Sequence, residues 1–243
     1  MQPIRISGKN LGALSLPDFC PRCVWLKVRC GDKLPWQIFP GVFSSLDSYQ
    51  KKVTNCHYER HGRTPQWLGK KLGQPISIPH HSIFRIIDNE TNILLTGVPD
   101  EILRRKDGTL TILDYKTARF TDAQDNLLPM YRTQLNAYAV VAERIGLGRV
   151  TGLALVYYEP VTDLTVDEVD TILADDGFSM RFQAKILPVE LDPESITPLL
   201  QKVRDIYDLA RAPTGLEGCK DCRMLNALMK VATDNGMGMS STV

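Results

Sequence analysis

At 243 residues, with 43% hydrophobic and 23% charged, the chain is long enough for one sizeable buried core and has the balance of a soluble globular protein. Its 29 Lys and Arg against 28 Asp and Glu leave a net charge of +1, which excludes a whole-chain basic footprint for nucleic acid and leaves only local patches: Lys51-Lys52, Lys70-Lys71 and Arg104-Arg105-Lys106. MQPIRISGKN holds no apolar secretory core and no apolar run is long enough for a membrane span, so the expected setting is cytoplasmic, where the six cysteines are reduced thiols or metal ligands.

Three cysteines, Cys20, Cys23 and Cys30, fall in the first stretch of the chain. Leu46, Tyr49, Val53 and Cys56 recur at helical spacing and predict a helix over 44–60, capped by Ser44 or Ser45. Gly62, Pro65, Gly69, Gly73, Pro75 and Pro79 then make a loop-rich passage. IFRII and NILLTG read as strands around a polar DNET turn, and DEILRR and TLTILDY as strands around Lys106-Asp107-Gly108. A helix is predicted over 129–145, stopped by Gly146. GLALVYYEP reads as a buried strand and FSMRFQAKILPVEL as a strand pair or one long strand. A further helix is predicted over 192–212, capped by Asp192 with Pro193 in its first turn, before a polar, frayed NGMGMSSTV tail. This order argues for an α/β or α+β layer around one mixed sheet.

The chemistry concentrates at the end of the second hairpin. Asp114 and Lys116 lie two apart on a strand, so their side chains share a face. A three-residue loop of Lys106-Asp107-Gly108 with Gly108 left-handed would set Asp100 opposite Asp114; a two-residue loop would set it opposite Tyr115. Two carboxylates converging at a strand end repel unless a cation lies between them, and hard oxygen ligands suit Mg²⁺ or Mn²⁺. An adjacent lysine can orient a water or stabilise charge developing on a phosphate. The bland alternative is an exposed ion pair at a strand end.

GVPDEI, ILDYKTA and QLNAY, in that order, resemble the RecB-type branch of the PD-(D/E)xK nuclease superfamily, with its G-x-x-D, D-Y-K and downstream helical Q-x-x-x-Y motifs. The resemblance implies a restriction-endonuclease-like α/β core, a central mixed β-sheet flanked by helices, with 1–243 as a single nuclease domain. It implies metal ligation by Asp100 and Asp114, a catalytic role for Lys116, and positioning of DNA or the active site by Gln134 and Tyr138. Gln134 and Tyr138 are four apart on one helical face, with Tyr131 on the same stripe. Related nucleases often carry a further histidine ligand on an upstream helix. His57 and His61 are the candidates, with a packed or surface histidine as the alternative.

Cys20-Pro-Arg-Cys23 and Cys219-Lys-Asp-Cys222 can supply four thiolates to one tetrahedral zinc or one cubane cluster, stapling the two end segments together. FCPRCVWL resembles the start of the iron–sulfur nucleases of the CRISPR-adaptation and AddB types, which implies a 4Fe-4S cluster. Those nucleases join one N-terminal cysteine to three C-terminal ones. Here only Cys219 and Cys222 stand at the end, so Cys23 must supply the missing thiolate and zinc stays open. Cys30 and Cys56 read as buried thiols. The function these features imply is a divalent-metal-dependent DNA nuclease, an exonuclease on single strands or duplex ends that works beside a helicase or other nucleic-acid-processing partner. The alternatives are an inactivated nuclease fold that holds DNA or a partner protein, and a zinc-ribbon-like interaction protein.

Overall fold

The computed structural model describes residues 2–32, 40–69, 72–121 and 126–236. The Lys70-Lys71 patch and residues 237–243 of the polar tail lie outside the described residues. The strands are β1 (Ile4–Ser7), β2 (Gln74–Pro75), β3 (Arg85–Asp88), β4 (Ile93–Thr96), β5 (Glu101–Arg104), β6 (Leu110–Lys116), β7 (Val150–Pro160), β8 (Leu173–Ala174), β9 (Gly177–Phe178) and β10 (Phe182–Val189). The helices are α1 (Gly8–Gly12), α2 (Pro21–Arg29), α3 (Gly41–His61), α4 (Leu128–Arg144), α5 (Val169–Ile172), α6 (Ile196–Asp208) and α7 (Lys220–Gly236).

The central sheet is five-stranded and mixed, in the order β10-β7-β6-β5-β2, with β6 and β7 parallel and the other neighbours antiparallel. A second sheet, β1-β4-β3, carries the N-terminal strand parallel to β4. β6 is covered on both faces, as its near-continuous LTILDYK run requires. Its alternation divides the core. Leu110 and Ile112 join Ile102, Leu153, Leu155 and Tyr157 under Leu135, Ala139 and Val141 of α4. Leu113 and Tyr115 join Leu68, Leu103, Ala154, Val156 and Tyr158 on the opposite face, where Thr54 of α3 meets the Tyr115 hydroxyl at 3.3 Å. Asp114 and Lys116 therefore open toward α4, while α3 lies behind the sheet.

Several expectations need correction. Helix α3 begins at Gly41 with Pro40 as its N-cap, so neither Ser44 nor Ser45 caps it. It ends at Gly62, whose left-handed φ of 62° lets its N–H reach the Tyr58 carbonyl. Asp192 makes no side-chain cap; a 3₁₀ turn over Pro193–Ser195 precedes α6, which stops at Asp208. Part of the frayed-tail reading, through Gly236, lies within α7. Cys30 and Cys56 are exposed, Cys30 just past the end of α2 and Cys56 on the outer side of α3, so neither is a core thiol. Among the described residues no helix is long and apolar enough to cross a membrane.

Candidate active site and cysteine centre

The hairpin that aims the carboxylates is built on Gly108. Its φ of 84° suits glycine, its N–H donates to the Arg105 carbonyl at 3.0 Å, and the Arg105 N–H donates to Thr109 at 2.8 Å. The loop is thus three residues long, and β5 pairs with β6 as Glu101↔Leu113 through Arg104↔Leu110. Carried one residue further, this register sets Asp100 opposite Asp114, the first of the two alternatives. The Tyr115 N–H donates to Asp100 Oδ2 at 2.6 Å. Burial first, and then the Asp114 carboxylate, push Asp100 up to about 6, against the pull of Lys51 and the Tyr115 N–H. The elevation follows from burial first and from the second carboxyl group beside it. Next along the strand, Glu101 is buried on the opposite face, its Oε2 3.5 Å from the Tyr115 hydroxyl; burial pushes it up to about 7.

Lys116 stands beside the pair. Its ammonium is 2.5 Å from Asp114 Oδ2, a buried oxygen whose charge it balances. The same ammonium donates to Gln134 Oε1 at 3.3 Å and lies 3.9 Å from the centre of the Tyr131 ring. Gln134 Nε2 donates to Asp114 Oδ1 at 2.9 Å and to the Tyr138 hydroxyl at 2.8 Å. One turn of α4 therefore fixes the Asp114 carboxylate, the lysine and the tyrosine together, which explains the i, i+4 spacing of the two α4 residues. Gly97 has a reason as well. A Cβ there would collide with Cε1 of Tyr138, and the φ of 154° is one that side chains rarely adopt. Gly8 of α1 approaches the same ring, where a Cβ would lie 3.1 Å from Cε1.

Two lysines complete the surroundings that sequence reasoning did not assign to the site. Lys51 of α3 pairs with Asp100 Oδ1 at 2.8 Å and with Asp47 Oδ2 at 2.8 Å. Partial burial works against its charge, but Asp100 and Asp47 outweigh that and hold its pKa above the lysine range. Lys9 of α1 is held below that range, by desolvation first and then by the Lys116 ammonium, with Asp114 opposing. The available signal for Lys51 was a polar stripe, Asp47, Gln50, Lys51 and Thr54, at helical spacing; Gln50 and Thr54 are buried, and Gln50 donates to Thr117 Oγ1 at 2.9 Å. His57 is not brought to the carboxylates. It sits further along α3 with Nδ1 2.9 Å from the Arg63 carbonyl and its ring 4.6 Å from that of His61, beside a groove shared with Arg63, Arg104 and Lys106. Its helix runs behind the sheet, so two further turns carry it away from the strand end.

The four remaining cysteines converge. All their sulfurs lie within 4.8 Å of one another, with Cys20–Cys222 and Cys23–Cys222 at 3.6 Å and Cys23–Cys219 at 3.5 Å. Cys20 caps α2 with Pro21 in its first turn, Cys219 immediately precedes α7, and each C-x-x-C pair turns both sulfurs into the gap between the helices. Burial acts to raise the Cys20 thiol, but N–H groups of Leu216, at 3.3 Å, and Cys23 bring it down to about 7. Burial pushes Cys222 up to about 11. Thiols crowded this closely, one with a favoured thiolate, form a donor set for a metal ion or cluster.

The mixed sheet flanked by helices, with the hairpin and strand end just described, is a restriction-endonuclease-like fold. The sequence model of the PD-(D/E)XK nuclease superfamily matches residues 45–227, and the chain belongs to that superfamily. No curated protein matches it at a significant level. Among solved structures it is similar to the crystal structure of SSO0001, at 14% identity over 88% of this chain and 80% of that one, with a TM-score of 0.42.

Proposed function

We propose that the protein is a divalent-metal-dependent DNA nuclease of the RecB type, an exonuclease on single strands or duplex ends. The observation that carries this reading is the meeting of Asp100 and Asp114 at one strand end with Lys116 beside them. A superfamily whose members are usually nucleases supplies the reaction class. The two carboxylates fit a hard divalent cation: both are largely buried, burial and Asp114 raise Asp100, and ammonium groups stand at Asp100 Oδ1 and Asp114 Oδ2. Bound there, Mg²⁺ or Mn²⁺ supplies a water of lowered pKa and neutralises charge on a phosphate oxygen. The chain's own groups do the rest. Gln134 locks the Asp114 carboxylate in one orientation. Lys116, steadied by Gln134 and the Tyr131 ring, presents a fixed positive charge to the oxygen on which negative charge builds. Tyr138 holds Gln134 from behind.

At the cysteine centre we read a structural metal. Metal–sulfur bonds of about 2.3 Å in a tetrahedron place sulfurs about 3.8 Å apart, which favours one zinc ion. A cubane places its thiolates outside four irons and needs them wider apart; the likeness of FCPRCVWL to iron–sulfur nucleases supports that second reading. Colourless protein with stoichiometric zinc supports the first, and a brown preparation the second. The nuclease test is cleavage of single- and double-stranded DNA with Mg²⁺ or Mn²⁺, wild type beside Lys116→Ala. DNA binding without metal-dependent cleavage in the wild type would favour the inactivated-fold alternative.

A further inference from the structure

Lys51 carries a chemistry that the nuclease motifs do not use. Asp100 has one carboxylate oxygen, Oδ2, held by the Tyr115 N–H at 2.6 Å, so Oδ1 is the oxygen left to face a cation. That oxygen is the one Lys51 Nζ holds at 2.8 Å. The same Nζ is 2.8 Å from Asp47 Oδ2, further out on α3: the Asp47 side chain is 45% exposed and that of Asp100 14%. Lys51 thus lies between an inner and an outer carboxylate, on a flexible stem. Lys116 differs, because Gln134 and the Tyr131 ring hold it as well as Asp114.

We propose that Lys51 is a resident counter-ion of the metal seat: its ammonium occupies Asp100 Oδ1, and a divalent cation displaces it outward onto Asp47. The proposal rests on reading Asp100 and Asp114 as that seat. An ammonium and a divalent ion at one carboxylate oxygen repel strongly, so of the two lysines the one without other anchors in the site, Lys51, is the one that leaves as the metal arrives, while Gln134 and the Tyr131 ring keep Lys116. The buried Gln50 and Thr54 anchor the same stripe of α3, so the side chain moves and the helix stays. The result is a competition built into the chain. Without a divalent cation the Lys51 ammonium offsets part of the charge on the buried carboxylates, and metal loading is set against a tethered positive charge whose release Asp47 favours.

The test is Mn²⁺ titration by calorimetry of the full chain, without DNA, for wild type, Lys51→Met, Asp47→Asn and the double variant. Asp114→Asn identifies the relevant isotherm by losing it. Removing the competitor should tighten Mn²⁺ binding about tenfold, and removing its outer partner should weaken it about threefold, order-of-magnitude values for charges near a protein surface. Simple long-range charge effects would give the same signs, so the double variant decides. In the Lys51→Met background, Asp47→Asn should change the affinity by less than about twofold, because no ammonium remains to be received. An equal Asp47→Asn effect in both backgrounds overturns the proposal, as does unchanged affinity in Lys51→Met; either leaves wild-type Mn²⁺ binding and the nuclease reading intact. Failure of both wild type and Lys51→Met to bind Mn²⁺ overturns the metal seat and the counter-ion together. Lys51→Gln, shorter and uncharged, should repeat the sign seen with Met.

Discussion

Asp100 offers a direct thermodynamic test of the carboxylate pair. Burial and the neighbouring Asp114 raise it from 3.8 to about 6, so the folded protein binds this proton more tightly than the unfolded chain does. Stability fully present below the unfolded value is therefore lost as pH rises from 3.8 to about 6, the opposite sign from a salt-bridged aspartate. A shift of about two units corresponds to about 3 kcal/mol, or about 6–12 °C in Tm for a chain of this size. Asp100→Asn keeps the shape of the protonated acid and does not titrate. The measurement is thermal unfolding from pH 4 to 7 of both proteins in buffer without added divalent cation, read as the difference between them. That difference should move against the wild type by roughly the stated amount over this window, and Mn²⁺ should restore the wild type at neutral pH by binding the folded state. Parallel profiles for the two proteins would show that the Asp100 proton is not linked to folding, and the crowding of two carboxyl groups would have to be abandoned.

Other outcomes follow from the same geometry. Lys116→Ala and Asp114→Asn should each lower DNA cleavage about a hundredfold or more while leaving circular dichroism unchanged. Gly97→Ala should cost about 1–3 kcal/mol in denaturant unfolding and reduce cleavage, because its Cβ drives into the Tyr138 ring that supports Gln134. His57→Ala should leave Mn²⁺ affinity and cleavage within about twofold, since surface changes away from a site usually act weakly; a large loss would return the histidine to the metal seat. Cys222→Ser should release the metal of the cysteine centre, measured by elemental analysis, and lower Tm, with Cys30→Ser and Cys56→Ser as silent controls because both are exposed.

The hairpin was legible because its parts are local. One loop with a glycine fixes a register, and register fixes which side chains face each other across Asp100 and Asp114. The α4 stripe was legible for the same reason, since helical spacing alone brings Gln134 and Tyr138 together. The C-x-x-C pairs were legible as a donor set because thiolates in two short turns have few other uses. Long-range placements were not. Whether α3 presents Lys51 or His57 to the strand end depends on how the helix crosses the sheet, and both residues lie on one helix. β1 is a four-residue IRIS strand whose alternation, with Ile4 and Ile6 buried, is too short to stand out, and its parallel pairing with β4 is a tertiary decision. The start of α3 was not legible, because serine is a good cap in isolation, whereas extended Pro40 allows the helix to begin at Gly41.

The cysteine centre also sets an order of events during synthesis. Cys20 and Cys222 are separated by 202 positions. At ribosomal speeds of about 5–20 residues per second, the first thiol waits about 10–40 s for its last partner to be made. Once Lys116 and Tyr138 have been made, and until Cys222 follows, the N-terminal segment that brings Gly8 against Tyr138 and Lys9 near Lys116 lacks the cysteine closure. If the thiolates hold the metal proposed for them, that closure must wait until Cys222 has been made, and a chain starved of the metal would carry Asp100, Asp114 and Lys116 before the wall that Gly8 and Lys9 provide is locked in place.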